Sequence, residues 1–159
     1  MATFLPFKGV LPSKNKAGLI PSKTVARYSH PELTNELENN PYSFLQIIFP
    51  EHLQKIKNAD SKDYLQKVKA CYHRFLDEKL LVRDAQRSFY LYRQQDNEHT
   101  YTGIIGCCSV EDYQKGVIRL HEQVFEKRVE KLANYLHTCS INADPVLMTY
   151  PDNEALNSI

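Results

Sequence analysis

The chain has 159 residues, 42% of them hydrophobic and 25% charged, with only five glycines; this composition supports a folded domain with a core and excludes disordered and fibrous classes. A formal net charge of +1 supplies no overall field for nucleic acid, because neutralising several phosphates takes a clustered basic face. No apolar stretch approaches the ~18 residues of a membrane span and the N-terminus lacks the apolar region of a signal peptide, so the chain reads as soluble and cytoplasmic, with neither nucleic acid nor membrane as partner.

Phe4 to Leu11 alternates loosely around Pro6 and predicts a first strand, at an edge because proline cannot donate to a ladder. Pro12 to Pro31 has no sustained period and reads as a long loop. It belongs to a basic N-terminal region, since residues 1 to 31 hold Lys8, Lys14, Lys16, Lys23 and Arg27 and no acid. Pro31 opens a short helix with Leu33 and Leu37 on one face, and Asn39-Asn40-Pro41 stops it. Tyr42 to Phe49, an aromatic and β-branched run bounded by prolines, predicts a buried strand.

Asp60-Ser61 supplies an N-cap for the clearest helix, whose apolar stripe is Tyr64, Leu65, Val68, Cys71, Tyr72, Phe75 and Leu76. Phe89 to Arg93 and Tyr101 to Val110 flank a polar loop at Asp96-Asn97, as a β-hairpin requires. Ser109 followed by Asp112 resembles a capping box with Asp in place of Glu, and the short helix it opens carries Tyr113. Phe125, Val129, Leu132 and Leu136 mark the last helix, Pro145 to Tyr150 predicts a last strand, and an acidic tail follows. Helices and strands interleave without a regular βαβ beat, which predicts an α+β fold with a mixed sheet packed against helices in a single domain over 1–159.

The densest polar segment is Lys115-Gly-Val-Ile-Arg119-Leu-His121-Glu122. Its cations suit an anion, and His121 or Glu122 could move a proton. Set against this, Glu122 early in a helix also suits the positive end of the helix dipole, and on a helix it is turned about 100° from His121. Other chemistries have less support. The histidines show no i, i+4 pair for zinc, Gly103 to Gly106 lies within a predicted strand rather than between a strand and a helix, and Ser22, Ser29 and Ser43 have no nucleophile-elbow context. The four cysteines form no CxxC pair and read as reduced thiols.

The stretches "FLPFKGVLP", "NNPYSFLQIIFPE", "FYLYRQ", "YTGIIGCCSVEDYQKGVIRLHEQVFEKRVEKL" and "ADPVLMTY", taken in order, resemble the N-terminal part of the prokaryotic domain-of-unknown-function family DUF1015. Two departures are visible. Val25-Ala26-Arg27-Tyr28-Ser29 stands where members often carry Pro-Pro-Tyr-Asp, and Val124 stands where many carry Thr. Members also carry a later Asp-Gly-His-His-Arg segment that this chain does not contain; it is similar to the phosphate-contacting motif of the ParB and sulfiredoxin superfamily, whose relatives include free L-serine kinases.

The resemblance therefore implies the N-terminal fragment of a longer, ParB/sulfiredoxin-like protein, incomplete without its own C-terminal domain. It implies small-molecule phosphoryl transfer using ATP or ADP with Mg²⁺, with Lys8, Arg27 and Arg119 facing phosphate and His121 and Glu122 in the catalytic role. The partners so implied are a nucleotide, a small-molecule substrate and the C-terminal domain, and an oligomer is compatible with all of them. The fragment alone is expected to be inactive or nearly so. A non-catalytic ligand-binding or regulatory module is the competing expectation.

Overall fold

Ser61 begins the element around which the rest of the chain is built. In the computed structural model, which describes residues 2–50, 61–120, 125–151 and 153–154, the Ser61 side chain accepts the Tyr64 N–H and opens helix α3, Lys62–Asp77. Its buried face is Tyr64, Leu65, Val68, Tyr72 and Phe75, the stripe that the helical spacing predicts. Asp60, the other half of the predicted cap, lies outside the described residues.

Upstream, the Ser29 side chain caps helix α1, His30–Asn39, in a reciprocal box with Glu32, and Leu33 and Leu37 face inward. Two hydrogen bonds from Ser29 hold the Glu32 carboxyl below its ordinary range. Pro12 to Pro31 is not structureless: it holds a run of turns over residues 14–19 and a 3₁₀ turn, Val25–Arg27. Ile20 from this loop is buried in the main core.

The predicted strand Tyr42 to Phe49 is instead a turn followed by the short helix α2, Leu45–Ile48. Its burial does alternate, with Ser43, Leu45 and Ile47 inside, but its backbone bonds are local. Gln46 N–H donates to Ser43, Ile47 N–H to Phe44 and Phe49 N–H to Leu45. Asn40 forces this geometry. Its side-chain amide donates to the Leu19 carbonyl (2.8 Å) and to Glu36 Oε1 (2.9 Å) while its Oδ1 accepts the Tyr42 N–H, and its own carbonyl accepts the Ser43 N–H. Asn40→Asp keeps the acceptor but turns the donor into a carboxylate facing a carbonyl and another carboxylate. It is expected to cost about 2–3 kcal/mol at neutral pH, more than Asn40→Ala, with the difference shrinking in acid. Urea unfolding at pH 7 and pH 4 measures both, and equal stability of Asp and Asn at pH 7 would refute this account of the corner.

The described strands make three antiparallel pairs where the sequence pattern predicts one mixed sheet. Strand β1, Phe4–Leu5, pairs with β6, Cys107–Cys108; β2, Val10–Pro12, pairs with β3, Leu81–Arg83; β4, Tyr90–Gln95, pairs with β5, Thr100–Ile105, as the predicted hairpin. A bridge between Phe7 and Ser88 joins the N-terminal strand region to the start of this hairpin. Helix α4, Val110–Gln114, starts from Ser109, whose side chain accepts the Glu111 N–H. Asp112 does not close a box, because its carboxylate is taken by the Thr3 N–H at 2.6 Å.

Helix α5, Glu126–Cys139, packs against α3 through its C-terminal part, where Cys139 is buried with its thiol on the Leu65 carbonyl. Burial pushes the Cys139 thiol up, and it raises the neighbouring Tyr135 hydroxyl to about 12. The predicted stripe of this helix is not core: Phe125, Val129, Leu132 and Leu136 are exposed. Residues 141–150 enter no helix or ladder, so the predicted strand Pro145 to Tyr150 has no pairing among the described residues. The core is thus α3 with Ile20, Ile47, Leu80, Leu81, Cys139 and Ile141, beside a smaller cluster of Leu33, Leu37 and Leu45. The expected α+β class holds.

Candidate functional site

The segment carrying Lys8 is fixed on both sides. Phe7 exchanges backbone hydrogen bonds with Ser88 at 3.1 and 2.9 Å, and the Gly9 carbonyl accepts the Asp84 N–H at 2.9 Å. The Gly9 N–H donates to the Tyr90 hydroxyl at 2.6 Å, and that hydroxyl donates to Asp84 Oδ2, also at 2.6 Å. The Tyr90 ring packs at a tilt on Phe7, with centroids 5.0 Å apart. The hydrogen bond to Asp84 holds the Tyr90 proton, and the phenol's pKa is raised. Tyr90 is accordingly a neutral strut, not a general base.

Gly9 is buried, and a Cβ there would lie 2.6 Å from Tyr90 Cζ. Only glycine allows the phenol to come this close to the backbone. Lys8, between these pinned neighbours, is exposed and has no described partner for its ammonium.

Arg119 is positioned by the end of α4. Gly116 adopts φ +70, its N–H returns to the Tyr113 carbonyl, and the Val117 and Ile118 N–H groups both return to Asp112. This left-handed cap turns the chain out of the helix. Arg119 follows, exposed, while nearby Lys115 is engaged with Glu111 at 3.3 Å. That pair is solvent-exposed on both sides and adds little stability. His121 and Glu122 lie outside the described residues.

Arg27 ends the 3₁₀ turn and is exposed, and its neighbour Tyr28 packs on the smaller core cluster. Two other loop cations sit on aromatic rings, Lys16 over Tyr42 at 3.7 Å and Lys23 over Tyr28 at 5.8 Å. Lys8 and Arg119 belong to segments tied together upstream of each, through the β1–β6 pair and the bond from Thr3 to Asp112. Among the described residues no hydrogen bond or ion pair joins Lys8, Arg27 and Arg119 to one another.

The Thr3 bond has a pH signature. Hydrogen bonds from Thr3 hold the Asp112 carboxyl below its ordinary range, with Lys115 and the N-terminal charge adding to them. A folded pKa below the unfolded one stabilises above the ordinary carboxylate pKa, and the contribution is lost as pH falls through the folded value. The Thr3 amide is therefore expected to be released only as pH falls below the ordinary carboxylate range and through the lowered folded value, and Asp112→Asn should abolish that transition. The Thr3 amide signal followed by NMR against pH checks it.

Asp84 and Tyr90 were not legible as a pair, because nothing in sequence links them to Gly9, 81 positions from Tyr90. A lone glycine inside a strand pattern is the signal that could have pointed there, since it marks close backbone approach. Among the described residues no group of three His, Cys, Asp or Glu is placed to hold a metal ion, and no helix is long and apolar enough to cross a membrane.

No curated protein and no solved structure matches the chain. The family model described as a protein of unknown function, DUF1015, matches residues 4–159, virtually the full length that carries the geometry above, and the chain belongs to that family.

Proposed function

We propose that the chain takes part in small-molecule phosphoryl transfer of the free L-serine kinase kind, in the cytoplasm, within a ParB/sulfiredoxin-like arrangement completed by its own C-terminal domain. The observation that supports the reading is Lys8, an exposed side chain with no partner among the described residues, on a backbone locked at Phe7 and Gly9. Phosphoryl transfer depends on positive charge fixed in place before the reaction, because a charge already positioned costs no reorganisation when the phosphate moves. Lys8 and Arg119 supply such charge from two tied segments, and Arg27 supplies it from the basic loop. His121 and Glu122 are assigned the acceptor hydroxyl, one orienting it and one taking its proton. Mg²⁺ would neutralise nucleotide phosphates, but the described residues by themselves do not make a site for it, and the roles above are assigned without it.

Calorimetry of the longer protein, with its C-terminal domain, against ATP or ADP tests the phosphate contacts, and phosphoserine formation by it in the presence of Mg²⁺ and L-serine tests the transfer. Saturable nucleotide binding is expected, weakened roughly tenfold by Lys8→Ala, on the scale of one charged hydrogen bond, with the fold retained. His121→Ala should leave binding intact and lower any turnover. Absence of nucleotide binding by the folded longer protein would sink the proposal. The second reading, a regulatory or ligand-binding module, is favoured by the exposed apolar row Phe125, Val129, Leu132 and Leu136, and it predicts no phosphoserine under any of these conditions.

A further inference from the structure

Residues 146–150 read Val-Leu-Met-Thr-Tyr, a composition suited to a pleated surface, yet they lie outside every ladder. Val146 is 83% and Leu147 90% exposed. A contact between side chains ties the segment to the fold: the Cys108 thiol meets the Met148 sulfur at 3.7 Å. Cys108 belongs to β6, which pairs only with β1, so its other edge is open among the described residues.

The register shows what that edge offers. Phe4 stands opposite Cys108 and Leu5 opposite Cys107, while the Ser109 N–H donates to the Thr3 carbonyl. In an antiparallel ladder, hydrogen-bonded and non-hydrogen-bonded pairs alternate. Thr3 with Ser109 is a bonded pair, so Phe4 with Cys108 is not, and the Cys108 N–H and carbonyl point away from β1 to the open edge. The residue whose side chain already touches Met148 is thus the one with backbone groups turned toward a third strand.

We propose that residues 146–150 are a strap that closes on the free edge of β6 as the third strand of this sheet, with Met148 abreast of Cys108. Closure pairs the Cys108 backbone groups and places Met148 on the same face as Cys108 and Phe4. Phe4 already lies over Gly106 and stacks on Phe89 at 5.3 Å, so the strap extends an existing apolar face. Pro145 and Pro151 bound it, as residues that cannot donate to a ladder.

Amide hydrogen exchange of the full chain, followed by NMR, tests this. Because β6 is two residues long and α4 begins at Val110, pairing engages the Met148 N–H, which is expected to exchange at least tenfold more slowly than the Leu147 and Thr149 amides beside it, independently of protein concentration. A second sample with Met148→Cys and Cys107→Ser, oxidised to a disulfide with Cys108, should show the same contrast at this position with greater protection. Uniform exchange over the five amides in both samples, fast or slow, overturns the proposal. Protection that grows with concentration also overturns it, since the strand would then come from a second copy.

Discussion

Phe75→Ala is expected to lower unfolding free energy by about 3–5 kcal/mol, the range for truncating a large aromatic in a closed core. Phe75 is 0% exposed, the last buried residue of the α3 face, in a core cluster that also draws residues from the basic loop, α2, β3 and the end of α5. The Leu80 N–H also returns to the Phe75 carbonyl, which fixes the turn from α3 into β3. Neighbours held from that many directions cannot all collapse into the vacated space, so the cavity term adds to the lost transfer energy. Against a total of about 5–15 kcal/mol for a domain, the variant should be marginal or unfolded at 37 °C. Phe125→Ala makes the same chemical change at a residue that is 80% exposed and should stay within about 0.5 kcal/mol of wild type. Urea unfolding of both variants measures the contrast, and equal costs would overturn the placement of the core.

That contrast shows where sequence reading reaches and where it stops. Helical spacing finds the apolar face of a helix, and it found those of both α3 and α5, but it says nothing about what covers a face. In α3 the cover comes from Ile20, Ile47, Leu81 and Ile141. In α5 the stripe at Phe125, Val129, Leu132 and Leu136 stays open, and the buried contacts are made by Tyr135 and Cys139 instead.

Caps were legible for a related reason. Ser61 and Ser109 each act within three residues of their own position, so no distant information is needed, although the Ser29 box with Glu32 is not legible behind Pro31. Tyr42 to Phe49 failed because a short apolar run fits either a strand or a buried helix, and the deciding contacts are remote. The Phe44 N–H goes to Ile20, the Tyr64 hydroxyl to the Ile48 carbonyl and the Asn40 amide to Leu19. "NNPYSFLQ", part of the family resemblance, is therefore a corner that ends α1 and seats α2, where Asn40, Ser43, Phe44 and Gln46 make contacts within the fold. Of the candidate site, the sequence proposes Lys8 and Arg119 as candidates but gives no sign of the Asp84–Tyr90 strut beside the first of them.

Gly9→Ala is expected to cost about 2–4 kcal/mol, combining overpacking of about 1–3 with weakened hydrogen bonds of about 1 each. The added Cβ would meet Tyr90 at 2.6 Å from Cζ and 2.7 Å from the hydroxyl oxygen. The ring cannot swing clear cheaply, because the same oxygen is bound to Asp84 and to the Gly9 N–H and the ring rests on Phe7. Gly106→Ala is the informative control. Its Cβ would fall 2.5 Å from the Phe4 ring, a tighter overlap on paper, but Phe4 is 42% exposed and can rotate outward for about 1 kcal/mol or less. Shortening Tyr90 to Leu removes the atoms that clash, so Gly9→Ala in that background should cost under about 1 kcal/mol, a coupling that additive sites would not show. Nucleotide binding should follow the same logic if Lys8 depends on this strut: Tyr90→Phe keeps the ring, leaves the Gly9 N–H without its acceptor and loosens the Lys8 backbone. Its binding defect should approach that of Lys8→Ala, although Tyr90 itself touches no phosphate, and an unchanged affinity would detach the cation from the strut.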